Sequence, residues 1–412
     1  MGFFARSIQP VTSTARIMGR VLRAFRLASA VLVLTGSLLL AACAAPSAST
    51  PGPIVPSLTP APPPSSTPEP ATPLQMAWFY KPPGDGNLAL IAAEYDFFIM
   101  SKGDEPERDA LLALGAKKPF LQYIRFEAIM DPGDCSRTPW QNNAATLPGD
   151  FCKISSEHPD WFLLDQNGQR ILEPYGGEDF VMMDPGNPGW RAFFLERVRK
   201  TQDADPNWGG VFLDNVEVTF SQREQDGKIP AAYPDEASYQ AAVQGFLQFL
   251  YSGYFHPSGR LLFANLVARR DEASWTGYLT YLDGAMHEGW SIDWPNGYRS
   301  ADTWEKQMTL AEQTQAMGKT ILLVSQGTQD NLELQKFAYA SYLLINHGRA
   351  AFRYANSQFY NQAWLYDNYK IQLGQALGER YRQGDAWRRD FSNGFVLVNP
   401  QTHEAQIHSG GN

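Results

Sequence analysis

Short apolar runs alternate with longer amphipathic stretches along most of this chain. The runs "MAWFY" (76–80), "DFFIMS" (96–101), "FLQYIRF" (120–126), "GVFLDN" (210–215), "LLFANL" (261–266), "LDGAMHE" (282–288), "ILLVSQ" (321–326) and "AAFRYA" (350–355) have the length and residue types of buried strands. The stretches between them carry apolar residues three and four apart. "PERDALLALG" closes on Gly115, a residue suited to the position after a helix end, and "PGWRAFFLERVRK" opens on Pro188 and ends in cations, as the helix dipole favours. "DEASYQAAVQGFLQFLYSGYF", "ADTWEKQMTLAEQTQAMGK" and "NLELQKFAYASYLLINHGR" read as helices in the same way. Eight strands alternating with helices predict an α/β fold, a parallel sheet closed into a (β/α)8 TIM barrel. An open doubly wound sheet fits less well, because no glycine-rich phosphate loop follows the first strand. Residues 127–180 form a long insertion after strand 3. Residues 394–407, "GFVLVNPQTHEAQI", read as a small C-terminal β-hairpin turning near Asn399-Pro400.

The first 74 residues follow another pattern. Arg16, Arg20, Arg23 and Arg26 precede an apolar run from Leu27 to Leu40, and "LAAC" ends at Cys43. The run falls short of the roughly 20 residues of a membrane span and has the layout of a signal peptide. "LAAC" resembles a bacterial lipobox, so residues 1–42 are expected to be a lipoprotein signal peptide and Cys43 the lipidated residue. Met1 and Met18 are alternative starts. Residues 43–74, rich in Pro, Ser, Thr and Ala, read as an extended tether, and 75–412 as the catalytic-type domain. The expected location is the extracytoplasmic face or cell surface, with membrane contact through the lipid alone.

Charge narrows the function. The net charge is −9, and removing 1–42 takes away five arginines and no acid, leaving −14. Nonspecific nucleic-acid binding, dominated by phosphate contacts, is disfavoured. Cys135 and Cys152 are the two cysteines beyond Cys43, and outside the cytoplasm they are expected to form a disulfide. The six histidines form no ligand pair, so no metal or other cofactor is expected, and a metal hydrolase is disfavoured. A monomer is expected.

Catalytic groups of such a barrel sit where its strands end. Those ends offer Tyr80, Arg125, Asp214 with Asn215, Asn265, His287 with Glu288 and then Trp290, Gln326, and Arg353. Alternation turns Asp214 to the barrel axis together with Phe212, and sends Val211 and Leu213 to the helices. By the same rule Tyr123 shares a face with Arg125, and Met286 with Glu288. Two carboxylates on separate strands suit glycosidic bond cleavage, which needs an acid for the leaving oxygen and a nucleophile or base. Asp214, beside Asn215 and with Arg125 across the barrel, is the candidate nucleophile or base; Glu288, shielded by Trp290, is the candidate acid/base. Tyr80, Arg125, Asn215, Asn265, His287, Trp290, Gln326 and Arg353 are the candidate substrate-positioning residues. Glu217 and Asp293 are reserve acids, and Asp184 reads as a turn residue at a helix entry.

Three stretches in order, "MMDPGNPGWRAFFLERV", "GGVFLDNVEV" and "MHEGW", with "FSNGFVLVNP" near the end, resemble the bacterial glycoside-hydrolase-like barrels of the hypothetical glycosyl hydrolase family 15 type. More distantly they are similar to the endo-α-1,4-polygalactosaminidase family. The resemblance implies a carbohydrate-active barrel with Asp214 on strand 4 and Glu288 on strand 6, an arrangement shared with several retaining α-glycosidase groups. Gly209-Gly210 stands where Asp-Gly is usual, and the cysteine-bearing insertion is a second departure. The expected function is hydrolysis of an α-linked poly- or oligosaccharide. The rival is a cell-surface carbohydrate-binding lipoprotein without catalysis.

Overall fold

All eight expected strands form, and they pair in parallel in chain order: β1 (Ala77–Phe79), β2 (Phe97–Ser101), β3 (Phe120–Arg125), β4 (Gly210–Glu217), β5 (Leu261–Val267), β6 (Gly284–Glu288), β7 (Thr320–Gln326) and β8 (Ala350–Ala355). Met76 bridges Phe352 in parallel, and the Phe352 amide donates to the Gln75 carbonyl at 2.9 Å, so β8 returns to β1 and the sheet closes as a (β/α)8 barrel. This computed structural model describes residues 75–84, 86–219, 227–267, 272–293 and 297–410. The leader, Cys43 and the tether lie outside the described residues.

Alternation sorts the core into two layers. Phe79, Phe97, Phe212, Phe263, Met286 and Val324 fill the inside of the barrel. Val211, Leu213, Leu262, Ala285 and Leu323 face the surrounding helices. Two glycines permit the close approaches this filling needs. A Cβ on Gly284 would lie 2.3 Å from the Phe263 ring, and one on Gly210 would lie 2.0 Å from the Leu261 carbonyl oxygen. Helices Glu105–Ala113, Pro188–Ala204, Glu236–Leu250, Ala301–Ala316 and Leu332–Ile345 occupy the amphipathic stretches. The Asn187 side chain caps the second of these by accepting from the Gly189 and Trp190 amides.

The insertion after β3 is an ordered subdomain. Ala128–Asp131, Glu178–Met182 and Leu172–Tyr175 form a three-stranded antiparallel sheet, with the Glu178–Met182 strand in the middle. Helix Asp150–Glu157 packs beside it, and Cys135 and Cys152 form the expected disulfide with Cα atoms 5.8 Å apart. The C-terminal hairpin expectation is too small. Four antiparallel strands form there, Tyr381–Gln383, Ala386–Phe391, Gly394–Asn399 and Glu404–Ser409. The first two were hidden by the polar run "YRQGDAWRRDF", in which Arg389, like Arg380 just before it, is used for docking. Arg389 donates to the carbonyls of Leu343 and Asn346 at the end of helix Leu332–Ile345, and Arg380 pairs with Glu305 and Glu312 of helix Ala301–Ala316.

Candidate active site

The inside of the barrel changes from apolar to polar within one step of two residues. On four consecutive strands, Phe212, Phe263, Met286 and Val324 are followed two positions later by Asp214, Asn265, Glu288 and Gln326. Because successive side chains alternate faces, each polar group stands on the same inner face as an apolar one, one step nearer the C-terminal mouth. Asp214 and Glu288 are half-buried, so solvent reaches them.

One side chain joins the two carboxylates. The Asn265 amide nitrogen donates to Asp214 Oδ1 at 3.0 Å and to Glu288 Oε2 at 3.0 Å. Both oxygens bond to one nitrogen at 3.0 Å, so they lie no more than about 6 Å from each other. Asp214 also accepts from the Tyr123 hydroxyl at 2.5 Å. Glu288 accepts from the Tyr360 hydroxyl at 3.0 Å and from the Gln326 amide at 3.3 Å. Tyr80 packs edge-on to both tyrosines, its ring centroid 5.4 Å from Tyr123 and 5.3 Å from Tyr360, and its hydroxyl reaches the Met286 sulfur at 3.0 Å. Burial, followed by the negative charge of Glu288 and Asp214, pushes the Tyr80 hydroxyl well above its ordinary pKa. Burial and then Asp214 do the same to Tyr123; burial and then Glu288 do so to Tyr360. All three therefore remain protonated donors at neutral pH.

The backbone is strained where it delivers these groups. Tyr80 has φ 73° and Asn215 has φ 55°. For a bulky ring such a conformation costs on the order of 1–3 kcal/mol and persists where the surroundings impose it; Asn tolerates it better. The register of β4 against β5 shifts between Leu213 and Val216, a bulge that holds Asp214 and Asn215. The end of β3 fixes this bulge from the other side. Arg125 is the Cα partner of Asp214, the Phe126 amide donates to the Asp214 carbonyl at 3.0 Å, and the Asn215 amide donates to Glu127 Oε1 at 3.0 Å. Glu127 is buried and bonded to Arg125; burial raises its pKa to about 7, which Arg125 opposes and Glu173 reinforces.

Several expected roles are corrected. Arg125 does not turn to Asp214: its guanidinium pairs with Glu127, lies 3.6 Å from Glu173 and covers the Phe180 ring at 4.1 Å. His287 lies on the opposite face of β6 from Glu288, packed between Trp275 and Trp290 in the outer layer. Trp290 is fully buried in that layer, so it does not cover Glu288 from within the barrel. Arg353 is buried and donates to the carbonyls of Ala77, Tyr360 and Gln362, so it anchors the segment bearing Tyr360 instead of meeting a substrate. Of the reserve acids, Glu217 accepts from Tyr239 in the outer layer. Asp184 accepts from the Gly186 amide at the entry to helix Pro188–Ala204, as expected of a turn residue. Tyr80, Asn215, Asn265 and Gln326 all lie at the mouth, Asn215 through Glu127. Tyr123, Glu127 and Tyr360 were not selected as candidates. The first two could have been found by extending the alternation along "FLQYIRFE"; Tyr360 lies in a loop with no periodic signal.

Among the described residues, Glu312, His347 and Glu379 gather ligating atoms within 4.8 Å of one another, away from this mouth. Arg380 on Glu312 and Arg389 on His347 already supply positive charge there, which opposes a metal ion.

The model of the hypothetical glycosyl hydrolase family 15 matches residues 136–395. No curated protein matches the chain. Among solved structures, the glycoside hydrolase domain of PelA from Pseudomonas aeruginosa is similar at 15% identity and a TM-score of 0.46, over 71% of this chain and 97% of that one. An α-galactosidase from Thermus thermophilus, solved with p-nitrophenyl α-D-galactopyranoside, is similar at 13% identity and a TM-score of 0.47, over 82% of this chain and 68% of that one. The barrel assignment rests on the strand order and the closing bridge, and the site on its own geometry.

Proposed function

The chain belongs to the hypothetical glycosyl hydrolase family 15, and on that premise we propose that it is a retaining glycosidase of an α-linked poly- or oligosaccharide, with Asp214 as nucleophile and Glu288 as acid/base. The observation that carries this reading is the single Asn265 amide shared by both carboxylates. The upper bound it sets, about 6 Å, accommodates the roughly 5–5.5 Å of retaining enzymes and falls short of the ~6.5–9.5 Å that leaves room for an attacking water in inverting ones. Asp214 takes the nucleophile's role because a short hydroxyl bond from Tyr123 and the β4 bulge fix its position. Glu288 protonates the glycosidic oxygen as Asp214 attacks the anomeric carbon. The bond to the leaving sugar breaks and a glycosyl ester forms on Asp214. Glu288, now the base, takes a proton from water; the water attacks the same carbon, and Asp214 departs as carboxylate. The α configuration of the substrate is supported by resemblance alone.

Reducing-end release from α-linked glucans and amino-sugar polymers, with the product anomer followed by NMR, tests the reading. Asp214→Asn and Glu288→Gln each lower turnover by at least about a thousandfold with an unchanged circular dichroism spectrum. On an aryl glycoside whose phenol leaves without protonation, Glu288→Gln keeps the burst of phenol and Asp214→Asn loses it. Release of the opposite anomer overturns retention. Either variant keeping wild-type turnover overturns its assignment. Binding of glycans without any release favours the non-catalytic rival.

The proposal extends to location: Cys43 carries a lipid and tethers the enzyme outside the cytoplasm. Labelled palmitate enters the wild-type chain and not Cys43→Ser. Equal labelling of both removes the anchor.

A further inference from the structure

The insertion holds one aromatic ring out in water. Tyr175 is 63% exposed, at the end of the strand that turns back through Gly176-Gly177, whereas Phe180 and Val181 on the paired strand are buried. That ring is braced. Trp140 meets it edge-on at 6.4 Å and also packs on Phe180 at 5.8 Å. A Cβ on Gly176 would lie 2.7 Å from the Trp140 ring, so glycine is what lets the tryptophan sit under the turn. Arg137 pairs with Glu178 across the end of the hairpin, and the Cys135–Cys152 disulfide closes the loop that carries Trp140.

The braced ring lies beside the arginine that ends β3. Glu173 and Tyr175, two residues apart, share one face of their strand. Arg125 lies on that face, 3.6 Å from the Glu173 carboxylate and 5.9 Å from the Tyr175 ring centroid. Arg125 is itself the strand partner of Asp214. Arg125 thus links the exposed ring to the C-terminal end of β3, the strand that pairs with the one bearing the nucleophile. An exposed aromatic contributes little to a core, whereas a ring fixed in advance loses little freedom when a flat apolar partner stacks on it. Sugar rings present such a face of C–H groups, and the Glu173 carboxylate on the same face of the strand is an acceptor for their hydroxyls.

We propose that Tyr175 is the platform of a further sugar subsite, which takes a pyranose ring of the same glycan chain whose scissile bond lies between Asp214 and Glu288. The inference rests on the glycosidase reading and adds that the enzyme selects chains over short fragments. The test uses the full chain and an array of short and long α-linked oligosaccharides, neutral and amino. Glu288→Gln serves as the parent so that bound chains stay intact. Adding Tyr175→Ala weakens retention of long chains about tenfold and leaves short ones unchanged, Tyr175→Trp restores it, and melting temperatures do not move. Equal retention of long chains with and without Tyr175, or retention of no α-glycan by the parent, overturns the subsite. Reducing-end release by the otherwise native chain separates the two readings. Release that is lost in Asp214→Asn but unchanged in Tyr175→Ala keeps the hydrolase and removes the platform. Tyr175-dependent binding with no release by the wild type keeps the platform and removes the hydrolase.

Discussion

The two sides of the barrel mouth hold their carboxylates by different means. At β3 and β4, Asp214 sits in a strained bulge next to the buried Arg125–Glu127 pair and the half-buried Glu173, braced by the disulfide-closed insertion. At β6 to β8, Glu288 receives the neutral donors Tyr360 and Gln326, and the nearby Arg353 is spent on backbone carbonyls that hold the Tyr360 segment. A position fixed by a strained bulge, which Asn215 ties to the buried Arg125–Glu127 pair, suits a group that must attack one carbon. Neutral donors on a longer side chain suit a group that gives up and regains a proton. Asn265 belongs to both sides, donating to Asp214 and to Glu288.

Four experiments press on this contrast. Asn265→Ala removes the shared donor and lowers turnover by about a hundredfold, since a hydrogen bond to a charged group contributes roughly 1.5–3 kcal/mol. A loss confined to KM in steady-state kinetics would show that the bridge serves binding alone. Tyr123→Phe, which deletes the shorter bond, costs about a hundredfold in kcat, and Tyr360→Phe about tenfold; the reverse order would exchange the two sides. Reduction of the disulfide, whose cysteines are 17 residues apart, lowers stability by about 3 kcal/mol in chain-entropy terms. Melting curves with and without reductant measure this, and the accompanying loss of activity is larger in Tyr123→Phe than in Tyr360→Phe.

The smallest effect is a slope in pH. The Glu127 pKa is raised in the folded chain, to about 7, chiefly by burial. A raised pKa means the folded state binds the proton more tightly, so the favourable contribution is complete below the ordinary glutamate value and is lost as pH rises through about 7. Glu127→Gln cannot lose it. Between pH 5 and pH 8 the melting temperature of Glu127→Gln therefore gains on that of the wild type, whatever the constant offset from leaving Arg125 with less negative charge. Parallel curves would show that Glu127 keeps one protonation state throughout.

The barrel was legible because each strand is a short apolar run and each helix a longer periodic one, and those signals are local. The candidate pair was legible too. Asp214 and Glu288 follow Phe212 and Met286 by two residues, and alternation alone puts acid above hydrophobe. The same rule, applied to every strand, would have removed His287, which is one residue out of phase and ends among Trp275 and Trp290. Arg353 is different. It is in phase with Ala351 inside the barrel, and its recruitment by the carbonyls of Tyr360 and Gln362 depends on how a loop folds back. Tyr360 was invisible for that reason, and the first two C-terminal strands because arginines that dock on helices, Arg380 and Arg389, look like surface residues in one dimension.

What the sequence determined by itself is the alternation of apolar and polar positions, and with it the number of barrel strands and the face on which each strand-end acid stands, because side-chain direction repeats every two residues along a strand. Which of those groups touch was decided in three dimensions. Asn265 between two carboxylates, Glu127 across from Asn215 and Tyr175 held above Arg125 are contacts between residues distant in the chain, or across a bulge that breaks the repeat, and a local pattern carries no information about distances that only closure of the barrel sets.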